Sequence, residues 1–202
     1  MIYASISGFG DTGPDATRPG YDLIVQGESS MMNITGAPDT PPFKMGTSIA
    51  DMVSGMALTQ GILAALYDRR VSHKGQHVKV SMLEALSALL TYHASNYFAT
   101  GVSSERRGNA HPSIVPYETF QAADGGLNIA VGNDIQWGIF CRAIERPDLP
   151  HHPDYALASV PVENRQELNP LLAQVFRQNR RADWLAVSVG ACLPCHAIRT
   201  LG

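Results

Sequence analysis

The chain has 202 residues, is 45% hydrophobic and 16% charged, and carries a net charge of -3 with a pI near 6.1. That suits one large domain or parts of two around a sizeable core. An acidic surface argues against nucleic acid or an anionic membrane as the main partner.

No apolar run is expected to reach the roughly 18 residues of a membrane span, because Glu84 and His93 interrupt the most apolar helix. The N-terminus has neither a basic n-region nor a long apolar h-region. With three cysteines and no such signal, the expected compartment is the reducing cytoplasm. A strand beginning at the initiator Met, and a stop within 197–202, predict a fragment of a longer protein.

Ile2-Tyr3-Ala4-Ser5-Ile6 predicts a buried strand that runs into a glycine-rich turn, Gly8 to Pro14, with the permissive backbone that close ligand approach needs. After Pro19-Gly20, a helix carrying Asp22 is predicted from Tyr21 to about Met32. Residues 36–42 are punctuation. Ser48 to Arg70 predicts a long helix mixing Met52, Met56, Ile62, Leu63 and Leu66 with Ser54, Gly55, Ala57 and Gly61. A turn at 72–75 and a strand at 77–80 follow. Ser81-Met82-Leu83-Glu84 has the capping-box pattern and starts a helix reaching Gly101. Strand, helix, strand, helix in this order favours a parallel sheet covered by helices.

Residues 103–112 are polar and basic, as in a linker. Strands at 117–120 and 127–131 flank Ala122-Ala123-Asp124-Gly125-Gly126, a hairpin signal. Asn133 or Asp134 caps a helix to Ile144, residues 147–161 are irregular, and helices are predicted at 163–179 and 182–189. The domain boundary is placed near residue 105, giving segments 1–104 and 105–202.

Cys192-Leu193-Pro194-Cys195-His196 matches the string of covalent haem attachment. That chemistry requires export in most systems, two reduced thiols and a distal ligand. A redox pair lacks a thioredoxin-like unit before it, and zinc would need two further ligands that the spacing of His151 and His152 does not single out. No metal site is expected. Gly8, Gly10 and Gly13 depart from the dinucleotide spacing and suit a tight turn beside a ligand. His111, before Pro112, is a candidate for site contact or a loop histidine that only hydrogen-bonds.

Asp51 opens the long helix at 48–70. As an N-cap it would contribute about 1 kcal/mol by accepting backbone N–H bonds. As a nucleophile it would stay ionised at the helix N-terminus, with donors nearby for developing charge and small residues behind it that leave room for substrate. The residues alone leave both readings open.

The string GTSIADMVSGMALTQGILAALYDRRVSHKGQHVKVSMLEAL resembles the class III CoA-transferases (the formyl-CoA and carnitine CoA-transferase superfamily). So do SISGFGDTGP and RPGYDLIVQGESSMMNITG before it and GNAHPSIVPYETFQAADGGLNIAVGND after it. The likeness covers nearly the whole chain, in order. GNAHPSIVPY is more similar to the branch containing succinate–hydroxymethylglutarate CoA-transferases than to the formyl or oxalate branch.

The resemblance implies an α/β fold: the later part of a Rossmann-like large domain with parallel strands and helices, followed by a smaller α+β domain. It implies CoA transfer between carboxylic acids, with Asp51 as the nucleophile and Asp22 as the second catalytic position, one that contacts substrate or supports the site; Asp22 also reads simply as another aspartate at a helix start. Gly8, Gly10, Gln26, Asn109, His111 and Tyr117 are the candidate contacts to substrate or CoA. No bound cofactor or metal is implied; the coenzyme A thioester is a substrate, alongside a carboxylic acid acceptor. Family dimers are interlocked homodimers.

Two alternatives are racemization at the α-carbon of an acyl-CoA and an inactive remnant of the family. In racemases the position of Asp22 belongs to an acid/base pair with a histidine, and Gly-His-Asp stands where this chain has Gly20-Tyr21-Asp22. Whole members are about twice this length. Lys79 replaces an acidic residue of the family motif at 74–81, and the Cys192–His196 string stands where the family has Gly-Val-Pro-Cys-Gly-Pro.

Overall fold

In the computed structural model, residues 1–155 and 164–201 are described. Residues 156–161 of the expected irregular stretch, and the expected helix start at Glu163, lie outside them. The fold is mixed α/β, with one parallel and one antiparallel sheet. It divides into two compact units, Met1–Gly108 and Asn109–Gly202.

In the N-terminal unit, β1 (Ile2–Ser7) is followed by α1 (Asp22–Glu28) and α2 (Ile49–Ser72), then by β2 (Gln76–Ser81). β1 and β2 pair in parallel, from Ile2 opposite Gln76 to Ser7 opposite Ser81. Parallel neighbours need a crossover between them, and α2 supplies it by packing on both strands. Gly61 makes that packing close, since a Cβ there would lie 2.6 Å from Val78 Cγ1.

By length and composition α2 is apolar enough to cross a membrane, which corrects the expectation that no run reaches that size. Its contacts with β1, β2, α1 and α3 (Met82–Ser87) mark it as the crossover helix of this sheet. The core here is small: Val25, Met31, Ala50, Met82 and Leu86, with Ile34, Ile49, Leu83 and Leu90 packed against it.

Four local features differ from the expectations. β1, expected to be buried, has no buried residue, and its Tyr3 and Ile6 are exposed, because the small core of this unit lies between the helices. α1 ends at Glu28, and Ser30 turns the chain at φ 66°. The helix expected from 81 to 101 is broken: after α3 and a 3₁₀ turn (Ala88–Leu90), Thr91 at φ 43° and ψ -115° interrupts it before α4 (Tyr92–Thr100). That conformation lies outside the helical region. Ser81 forms its half of the capping box by accepting from the Glu84 N–H at 3.4 Å. Residues 103–108 also do more than link. Ser104 bonds Asn33 and His93, and the Gly108 N–H donates to the Gly36 carbonyl.

The C-terminal unit contains β3 (Tyr117–Ala122), β4 (Gly125–Ala130), α5 (Asp134–Ala143), α6 (Arg165–Phe176), α7 (Arg181–Gly190) and β5 (Cys195–Ala197). β3 and β4 form the hairpin, closed by Ala123-Asp124. β5, which the sequence reading did not contain, pairs antiparallel to β4 with His196 opposite Asn128. A strand of three residues is too short to show alternation.

One face of this sheet packs on the helices through Phe120, Leu127, Ile129, Trp137, Phe140, Leu172, Phe176 and Trp184. Phe120 stacks on Phe176, with ring centroids 5.0 Å apart. The two buried indoles are satisfied, Trp137 donating to the Tyr155 carbonyl and Trp184 to the Phe176 carbonyl. The hairpin tip is tied to α7, where Asp124 accepts from the Arg181 N–H at 2.8 Å. That bond, with the Arg181 charge, holds the Asp124 carboxyl below its usual range.

Candidate functional site

Asp51 lies in the first turn of α2 and is exposed. An uncapped helix leaves its first N–H groups without intrahelical partners. Ser48, at the N-cap position, makes no side-chain cap bond. The cap comes instead from α1: Asp22 Oδ1 accepts from the Ala50 N–H at 2.9 Å. Asp51 has neither a hydrogen-bond nor an ion-pair partner among the described residues. Behind it, Gly55 faces open space, and Met52 and Met56 are exposed.

Asp22 is held in turn. Its Oδ2 accepts from Gln26 Nε2 at 2.7 Å, one helical turn along α1. Gln26 is fully buried, and its Oε1 accepts from the Met45 N–H at 2.8 Å. Met45 N–H can only donate, so the amide oxygen faces Met45 and the NH₂ faces the carboxylate. Asp22, Gln26, Met45 and Ala50 therefore form one hydrogen-bonded cluster.

The glycine-rich turn lies in the same unit. Gly8 abuts Gly20, since a Cβ on Gly8 would come within 2.7 Å of Gly20 Cα. Gly10 adopts φ 91°, a conformation suited to glycine, and its N–H donates to Ser7 Oγ at 3.1 Å. Lys79, the departure from the family motif, pairs with Asp11 of this turn at 2.7 Å. The pair depresses the Asp11 carboxyl through hydrogen bonding and then charge.

Asn109, His111 and Tyr117 belong to the C-terminal unit. The His111 N–H donates to the Tyr117 carbonyl at 2.9 Å, and the two rings lie 5.2 Å apart. Arg165 Nη2 donates to the carbonyls of His111 and Ile114. Burial, then the Arg165 charge, pushes the His111 pKa down and favours the neutral imidazole.

Asn109 Nδ2 donates to Thr119 Oγ1 (2.8 Å), which donates to Asn128 Oδ1 (2.7 Å). An open cavity of about 550 Å³ is lined there by Asn109, Tyr117, Thr119, Asn128, Pro194 and His196. The sequence reading did not single out Thr119 and Asn128. Their signal is outward alternation on paired strands, which needs the register to be known.

Cys195 faces the core and burial raises its thiol pKa, whereas Cys192 is exposed. No group of three or more His, Cys, Asp or Glu among the described residues is arranged to hold a metal ion.

The family model described as CoA-transferase family III matches residues 1–202. The chain is 36% identical over 201 residues to the succinyl-CoA:glutarate CoA-transferase of Mus musculus, covering 100% of this chain and 46% of that protein. It is 39% identical over 195 residues to the acetyl-CoA:oxalate CoA-transferase of Acetobacter aceti, covering 96% and 50%. Among solved structures, a CaiB/BaiF family protein from Brucella suis superimposes with a TM-score of 0.85 at 40% identity, covering 100% of this chain and 53% of that one. The chain thus spans about half the length of the curated relatives it matches.

Proposed function

Because the chain belongs to CoA-transferase family III, we propose that it moves CoA between carboxylic acids with Asp51 as the covalent nucleophile. The observation that carries this is the exposed, unengaged carboxylate of Asp51 in the first turn of α2, where Asp22 does the capping instead.

The relay runs through four exchanges. An Asp51 oxygen attacks the thioester carbonyl of the donor acyl-CoA; the C–S bond breaks, giving a mixed anhydride and CoA thiolate. The thiolate attacks the aspartyl carbonyl of the anhydride, forming an aspartyl-CoA thioester and releasing the donor acid as its carboxylate. The acceptor carboxylate attacks that thioester, giving a second anhydride and freeing the thiolate again. Thiolate attack on the acceptor carbonyl yields the new acyl-CoA and restores the Asp51 carboxylate. Each step exchanges one carboxylate or thiolate for another, so none consumes a proton. The N–H groups at the head of α2 supply positive potential for the oxyanions.

Dicarboxylates are the proposed acids, on the strength of relatives named for glutarate and oxalate. The CoA thioester enters as substrate rather than as a bound cofactor. The parallel β1–β2 pair with its α2 crossover supports a Rossmann-like arrangement for the N-terminal unit. A cytoplasmic setting completes the reading, and the homodimer of the family is expected of the whole protein rather than of a chain spanning about half its length.

The test is trapping. Incubation with succinyl-CoA and hydroxylamine or borohydride should place an adduct on Asp51, located by peptide mass mapping. Asp51→Ala should abolish the adduct and cost roughly 10⁴-fold or more in turnover, as for other covalent nucleophiles. A folded sample that gives no adduct overturns the proposal. Deuterium wash-in at the α-carbon of a 2-methylacyl-CoA would point to racemization instead.

A further inference from the structure

We infer that Asp22 and Gln26 form a positioning clamp for Asp51, and that Asp22 does no chemistry of its own; this rests on Asp51 being the nucleophile. Residues 45–50 lead into α2 and are held at both ends by one turn of α1. At one end the Met45 N–H donates to Gln26 Oε1, and at the other the Ala50 N–H donates to Asp22 Oδ1. The Gln26–Asp22 bond at 2.7 Å joins the two points. Gln26 is fully buried and Asp22 half-buried, so solvent competes poorly for these bonds.

Ala50 immediately precedes Asp51. Fixing its N–H therefore fixes where the helix begins and where the next side chain leaves the backbone. Both Asp22 oxygens are occupied by N–H donors from the protein, which suits a carboxylate that holds a helix rather than one that shuttles a proton.

The pattern of donors makes the clamp testable without removing it. In Asp22→Asn the side chain has one acceptor. If that accepts from Ala50, its NH₂ meets the NH₂ of Gln26; if Gln26 turns over, its NH₂ meets the Met45 N–H. Gln26→Glu sets two carboxylates against each other. The double variant D22N/Q26E matches every donor to an acceptor. The carboxylate now at position 26 accepts from the Met45 N–H and from the amide NH₂ now at position 22. The amide oxygen at position 22 accepts from the Ala50 N–H. The cluster also keeps one negative charge.

Three readouts are compared in the full chain. They are the single-turnover rate of Asp51 acylation by succinyl-CoA, the hydrogen exchange of the Ala50 amide, and the ¹³C resonance of the Asp51 carboxyl. Each single variant is expected to slow acylation by roughly 10- to 100-fold, the scale of a misplaced reacting group. Each should also speed Ala50 exchange and move the Asp51 resonance, and D22N/Q26E should restore all three.

Should D22N not fold, Q26E against the double variant carries the same comparison. Recovery of exchange and resonance without recovery of acylation would make Asp22 a catalytic residue and overturn the clamp. So would single variants that melt earlier but, when folded, leave the Asp51 resonance and acylation rate unchanged. If the wild-type chain is not acylated at all, the transferase reading fails by itself, and the exchange and resonance arms, which need no turnover, decide the clamp.

Discussion

At the scale of single residues, the role of a carboxylate is set by which N–H groups reach it. Asp22 and Asp51 both sit at helix starts and are alike in sequence, yet one is saturated with donors and the other is bare. Local pattern could not separate them, because the Ala50–Asp22 bond spans 28 residues. The resemblance marked both positions, while which of the two the helix N–H groups reach needed the fold. His111 carries a prediction with a definite sign. Its folded pKa lies below the unfolded value of about 6.5, so below that pH the unfolded chain takes up the proton first. Stability of the C-terminal unit should therefore fall as pH drops through about 6.5, and His111→Gln should flatten that limb of the melting profile. Asp124 is also depressed, but as an acid it adds stability above its usual pKa and loses it only as pH falls through its lower folded value. The two windows should separate in thermal melts taken across the range.

At the scale of elements, α2 and the β3–β4 hairpin were legible because their patterns are long or carry distinct turn chemistry. The break at Thr91 was not legible, since neighbouring Leu89, Leu90 and Tyr92 continue the apolar run without a glycine or proline. β5 escaped because its three residues are fixed by partners on β4 rather than by their own pattern. Helix α2 also shows propensity and packing in opposition. Gly61→Ala should favour an isolated helix by about 1 kcal/mol, but the added methyl runs into Val78, and overpacking costs about 1–3 kcal/mol. The expected outcome in denaturant titration is net destabilisation by Gly61→Ala, partly relieved when Val78→Ala makes room. Equal or greater stability of the single variant would show that the contact yields freely. Gly61 lies ten residues, about 15 Å, along the helix from Asp51.

For the molecule as a whole, the two units are built to different standards. The C-terminal unit has an aromatic-rich core around Trp137, Phe140, Phe176 and Trp184. The N-terminal unit buries a short set of mid-sized side chains. Amide exchange should follow this difference, with β3, β4 and α6 protected longest and the helices of the N-terminal unit exchanging sooner. The reverse order would show that stability does not track the apolar surface buried. Alternation of strand and helix, and of apolar and polar residues, was enough to place the α/β character, because each element states its own period. The size of each core was not visible in that pattern, since it depends on which faces find a partner. On α2, Met52, Met56, Leu63, Leu66, Tyr67 and Val71 remain open to water. Water around such a surface carries a heat-capacity excess that the fold does not remove. Any surface laid on that face would release it, and calorimetry would register the event as a negative ΔCp, whatever the sign of the heat at a single temperature.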